Sequence, residues 1–123
     1  MYNKELVLNI FKQIKDATEK VIFRFEQIES VDDFTNSNAG MEKLDAICMQ
    51  LIAIGESLKN VDKITNKTLL SKYSEIDWKG VKGLRDIISH HYFDVDAEQI
   101  YWVCDKNIPL LKRTIIQIIN DLE

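Results

Sequence analysis

The chain has few of the residues that interrupt or staple a fold. A single proline, Pro109, and four glycines stand among 123 residues, which excludes collagen-like and low-complexity classes. Cysteine is almost absent too. Cys48 and Cys104 lie in separate apolar stretches without Cys-X-X-Cys or Cys/His spacing, so they read as reduced core thiols rather than a zinc site. No apolar run approaches the roughly 18 to 20 residues that cross a bilayer, and the opening MYNKELVLNI lacks a secretory layout. The expectation is a cytoplasmic protein with no membrane partner. Positive charge is not in surplus: 16 Lys+Arg against 20 Asp+Glu leave a formal charge of −4. Such a chain has no global field for nucleic acid, and DNA binding is not expected. Any phosphate binding must come from a local patch.

What is present suits a folded helical protein. Apolar residues make up 46% and charged residues 29% of the chain, and the length is that of one domain, residues 1–123, with a core of its own. Val7, Ile14, Val21 and Ile28 recur every seven residues, with Phe11 and Phe25 each four residues after members of that series. This pattern predicts one long amphipathic helix from Lys4 to about Glu29. The polar stretch VDDFTNSNAG reads as a connection. Leu44, Ile47, Cys48, Leu51, Ile54 and Leu58 then predict a second helix from about Met41 to Asn60. NKTLLSKY has room for two helical turns. Asp77 is placed to cap a helix that starts near Trp78 and buries Val81, Leu84 and Ile88, although Gly83 lies in its interior.

Asp96 with Gln99 three residues later resembles a capping box opening a last helix, whose apolar positions include Ile100, Val103, Leu111, Ile115, Ile118 and Leu122. Pro109 is expected to kink it. No segment alternates with period two long enough for a sheet. The expected fold is all-α, an up-down bundle of four to five helices. Ile115, Ile116, Ile118 and Ile119 offer more apolar surface than one face hides, which predicts a homodimer. Trp78 and Trp102 are expected to anchor a core or an interface.

Both histidines fall in one segment, Arg85-Asp86-Ile87-Ile88-Ser89-His90-His91-Tyr92. Arginine supplies a permanent planar cation for phosphate oxygens, histidine titrates near neutrality, and tyrosine donates or accepts a bond. That set can carry phosphoryl chemistry without a metal. Without further context, the same cluster at a helix end also serves as a cap that complements the helix dipole.

Arg, four residues, His, one residue, Tyr is the signature spacing of ribonucleases of the HEPN superfamily, and Arg85, His90 and Tyr92 occupy its positions. AIGESLKN, YSEIDWKGVKGLRD, HHYFDVD and NIPLLK also resemble its HepT-like branch in wording and order, so the resemblance covers most of the chain from about Met41 onward. A small residue usually separates the histidine from the tyrosine, and this chain has His91 there. Spacing favours His90. Asp86 fills a place after the arginine that is commonly polar, and four residues before His90 it can meet the imidazole on one helical face.

The resemblance implies the toxin component of a type II, HepT/MntA-like toxin–antitoxin system. Its activity would be metal-independent RNA cleavage with catalytic Arg85, His90 and Tyr92, supporting Asp86 and no cofactor. It further implies neutralisation by an MntA-like nucleotidyltransferase antitoxin that transfers AMP to Tyr92. Lys79 and Lys82, about two turns and one turn before Arg85, are candidates for binding flanking RNA phosphates. On a straight helix Arg85 and Tyr92 share a face about 10 Å apart, while His90 is rotated by about 140° from Arg85. Either the helix breaks near His90, or two copies meet and each phosphate sees groups from both chains. The alternative function is that of a non-catalytic helical substrate-binding partner of a small nucleotidyltransferase. The Gly55-Glu56 pair is expected to be structural.

Overall fold

The computed structural model describes residues 2–90, 93 and 95–123, with Ser89 and His90 described in backbone only. Helix α1 spans Lys4–Phe25, opened by the Asn3 side chain, which accepts from the Leu6 N–H at 3.0 Å. Its seven-residue series is buried as expected: Val7, Phe11, Ile14, Val21 and, just beyond the helix, Ile28. The helix stops short of the expected Glu29 because the Asp33 carboxylate takes the Glu29 N–H at 2.8 Å and the Ser30 N–H at 3.3 Å. That cap draws the chain into a short helix, α2 (Asp32–Thr35), which plants Phe34 in the core.

Helix α3 (Asn38–Thr65) is longer at both ends than the expected Met41 to Asn60. The Ser37 hydroxyl accepts from Gly40 N–H at 3.0 Å and starts it early. Val61 and Thr65 remain buried and carry it on until Asn66, in the left-handed region at φ 54°, ends it. At 1.5 Å per residue its 28 residues reach about 42 Å, so α3 is the main strut. NKTLLSKY forms a single 3₁₀ turn, Leu70–Lys72, rather than two helical turns. Asn66 and Lys67 both have positive φ and break the helical path, while Leu69 and Leu70 pin the segment to the core. Tyr73 holds the next stretch by donating to an Asp121 carboxylate oxygen at 2.6 Å; partial burial, then this bond, pushes its phenol up to about 12.

Helix α4 (Trp78–His90) begins where the sequence places it, with the Asp77 carboxylate accepting from Gly80 N–H at 3.0 Å. Leu84 and Ile88 are buried and Val81 is half-buried. Trp78 donates its indole N–H to the Tyr73 carbonyl at 2.8 Å. Helix α5 (Ala97–Trp102) is capped by Asp96, which accepts from the Glu98 and Gln99 N–H groups.

The expected kinked last helix is instead α5 and α6 (Ile108–Leu122) joined by a π-helical turn, Val103–Asn107. Pro109 falls in the first turn of α6, where a missing N–H leaves no bond unmade. The widened turn ahead of it accommodates the ring that would crowd a regular helix.

No strand occurs among the described residues, and the fold is all-α. Helix α1 packs on α3 and α6, and α4 packs on the other side of α3. The buried residues form one core. Ile115, Ile118 and Ile119 belong to that core, and Ile116 is half-buried. The apolar surplus expected of the last helix is therefore consumed within the chain, because α6 lies in a groove beside α1 and is covered on most of its circumference. Cys48 and Cys104 are buried free thiols. Burial lifts Cys48 from an ordinary 9.0 to about 11, helped by Asp45, and Cys104 to about 12. Among the described residues no helix is long and apolar enough to cross a membrane.

Candidate active site

The site is built where α3 and α4 touch. A Cβ on Gly55 would stand 3.2 Å from the Val81 carbonyl oxygen, 3.4 Å from that of Lys82 and 3.8 Å from the Arg85 nitrogen. Only a residue without a side chain lets the α4 backbone come this close, one turn ahead of Arg85. The next residue along α3, Glu56, therefore arrives beside the arginine, and Arg85 Nε donates to Glu56 Oε1 at 2.7 Å.

A second carboxylate completes the group. Asp86 Oδ1 lies 3.8 Å from Arg85 Nη1 and 3.9 Å from Lys59 Nζ. The Arg85 and Glu56 side chains are 47% and 44% exposed, so their pair contributes on the order of 0–1 kcal/mol to stability. Its effect is directional: one carboxylate fixes the plane of a guanidinium that remains open to solvent.

Lys79 and Lys82 do not converge on Arg85. They line a cleft of about 680 Å³ between the C-terminal part of α3 and the N-terminal part of α4, and Asp86 stands at its edge. Lys82 bonds Asp62, a buried aspartate, whereas Lys79 is exposed. The two assigned lysines thus differ in kind, one tied down and one free to meet solvent.

His90 ends α4, and its side chain lies outside the described residues, as do His91 and Tyr92. The assignments to His90 and Tyr92, and the Asp86–His90 contact, fall there. The α4 backbone is helical from Trp78 to His90 and ends there.

Sequence reasoning missed Glu56 and Lys59. Gly55 is structural as expected, but Glu56 contacts the key arginine. The contact crosses two helices, so no spacing within either reveals it; only the adjacency of a helix-interior glycine and an acid hinted at it.

The bundle thus presents an open, carboxylate-oriented arginine beside a lysine-lined cleft. Comparison narrows the class. The family model described as "Ribonuclease HepT-like" matches residues 8–118, and the chain belongs to that family.

Three relatives are similar over most of their length. "Putative RNase MJ0127" of Methanocaldococcus jannaschii is 33% identical over 115 residues, covering 89% of this chain and 92% of the relative. "Putative RNase MJ1216" of the same organism is 30% identical over 110 residues, 82% and 88% of the two chains. "Probable ribonuclease HepT" of Thermococcus cleftensis is 29% identical over 104 residues, 80% and 88%. No solved structure matches the chain significantly.

Proposed function

We propose that this chain is the toxin component of a type II, HepT/MntA-like toxin–antitoxin system, a metal-independent endoribonuclease that cuts RNA at a site shared by two copies. The observation that carries the reading is Arg85 in a HepT-like chain, held open by Glu56 at the first position of the Arg-X4-His-X-Tyr spacing. With Nε donating to Glu56 and Nη1 standing 3.8 Å from Asp86, Nη2 is the nitrogen of the fork that we assign to phosphate oxygens.

In the proposed reaction His90 takes the proton of a ribose 2′-hydroxyl. The 2′-oxygen attacks phosphorus, the bond to the 5′-oxygen breaks as that oxygen takes up a proton to leave as a 5′-hydroxyl, and a 2′,3′-cyclic phosphate remains. Arg85 stabilises the negative phosphorane and Tyr92 positions the phosphate. Asp86 supports His90, and Lys79 and Lys82 hold flanking phosphates. Pairing of two copies is supported by Ile87, 40% exposed on α4. An MntA-like nucleotidyltransferase antitoxin transfers AMP to Tyr92 and so blocks the site.

The test is RNA incubated with the purified protein and excess chelator. Fragments ending in cyclic phosphate are expected. Intact RNA alongside a folded protein that still binds its nucleotidyltransferase would reverse the reading toward a non-catalytic helical partner. Mass spectrometry after co-expression with the antitoxin should show added AMP on Tyr92; AMP only on other residues rejects that acceptor.

A further inference from the structure

The cleft beside the Arg85 group carries three features that work against the stability of the fold. Lys59, Lys63 and Lys67 follow one another at four-residue intervals, and all line it. Lys59 and Lys63 share a face of α3, where like charges at this spacing repel. Lys63 sits in the last turn of α3, where the helix dipole favours a cation. That account fails for Lys79, which stands in the first turn of α4, the end that disfavours positive charge.

Gly83 also lines the cleft, inside α4, and a Cβ there would meet nothing within 4 Å. Glycine is among the least favourable residues of a helix interior, and here no neighbour among the described residues requires it. Lys67 is the third feature. It adopts the left-handed region at φ 61°, directly after Asn66 has already ended α3 there. Non-glycine residues hold this conformation uncommonly, and here it lets the Lys67 N–H donate to the Asp62 carbonyl at 2.9 Å.

The charge sum points the same way. Five lysines and two aspartates line the cleft, a local surplus of +3 in a chain whose net charge is −4. Among the described residues Lys63, Lys67 and Lys79 form no ion pair. Asp86 belongs both to this cleft and to the Arg85 group, so the two are continuous.

We propose that the cleft is a track for the phosphate backbone of a single-stranded polynucleotide, with Gly83 leaving the α4 backbone clear for close approach of the strand. The inference rests on the nuclease reading for the identity of the strand as RNA. Lys59 and Lys63 stand about 6 Å apart along the α3 axis, and Lys67 follows just beyond the end of the helix on the same cleft, a row suited to successive phosphates rather than to one isolated anion. A strand held here passes Asp86 and presents a neighbouring phosphate to Arg85.

The experiment uses a fluorescent 2′-O-methyl oligonucleotide, which lacks the attacking hydroxyl, and reads anisotropy over a salt series. Wild-type binding should weaken with salt. The double variant Lys63→Gln/Lys67→Gln should lose about 1.4 from the logarithmic salt slope, at about 0.7 per lost single-strand phosphate contact. Gly83→Ala should weaken binding several-fold while raising the melting temperature. A Lys12→Gln/Lys20→Gln variant on α1 should bind as wild type.

An unchanged slope in the Lys63/Lys67 variant overturns the proposal. So does an absence of wild-type binding, or inorganic triphosphate binding that depends on these lysines while oligonucleotide binding does not. Because the probe cannot be cut, binding along this track with no cleavage of ordinary RNA would defeat the nuclease reading and leave the track standing. Cleavage with an unchanged slope would do the reverse.

Discussion

Where α1 meets α3 and α6, the contact is dry: Val7, Phe11, Ile47, Leu51, Ile115 and Ile118 are all fully buried. Where α3 meets α4, glycine brings two backbones together and ion pairs among Glu56, Lys59, Asp62, Lys82, Arg85 and Asp86 run along the margin. The first seam gains stability from area removed from water. The second leaves charge exposed and keeps a further glycine, Gly83, where a Cβ would meet nothing within 4 Å among the described residues. A bundle this small can hold its fold on one side and place reactive groups on the other.

Substitutions that tell the seams apart should fall in a clear order. Phe11→Ala empties the centre of the dry seam and should lower stability by about 3–5 kcal/mol, read from urea denaturation. A loss below about 1 kcal/mol would mean that the core is not close-packed there. Gly55→Ala pushes a methyl against the α4 carbonyls. It should cost about 1–3 kcal/mol, and it should also displace Arg85, so that RNA cleavage falls further than the unfolding midpoint explains.

The buried thiols offer a pH test of the dry side. Burial raises Cys48 to about 11 and Cys104 to about 12 from an ordinary 9.0. The unfolded chain therefore releases these protons first. Their stabilising effect is complete below pH 9 and should decline by about 1 kcal/mol per pH unit per thiol as pH rises toward 11. Denaturation at pH 8 and pH 10 should show a steeper fall for wild type than for the Cys48→Ala/Cys104→Ala variant; equal slopes would contradict the assignment.

The smallest stability effect belongs to Glu56→Gln, within about 0.5 kcal/mol for so exposed a pair. Cleavage should nevertheless drop, since a neutral partner orients the guanidinium less firmly. Stability and activity unchanged together would reduce Glu56 to a bystander.

The dry seam was legible in the sequence because its positions repeat with helical period: Leu44 through Leu58 and Val7 through Ile28 are buried as the pattern predicts. Ends were less legible, since they depend on side chains outside the pattern. Ser37 starts α3 early, the Asp33 carboxylate stops α1, and Pro109 comes with a widened turn that no periodicity encodes. At the candidate site, Arg85 and Asp86 were singled out because they fall within one continuous segment that resembles a family motif. Glu56 and the α3 lysines were not, because they reach the site across a helix–helix contact. The apolar residues of α6 misled for a related reason: counting isoleucines cannot show how many neighbours surround a helix.

The central claim is that the charged seam performs chemistry and does not hold up the fold. Arg85→Ala tests it in a single preparation measured twice, by urea denaturation and by RNA cleavage in chelator. The account predicts an unfolding free energy within about 0.5 kcal/mol of wild type and cleavage reduced by about 100- to 1,000-fold. A folded variant that cuts RNA at the wild-type rate would contradict it.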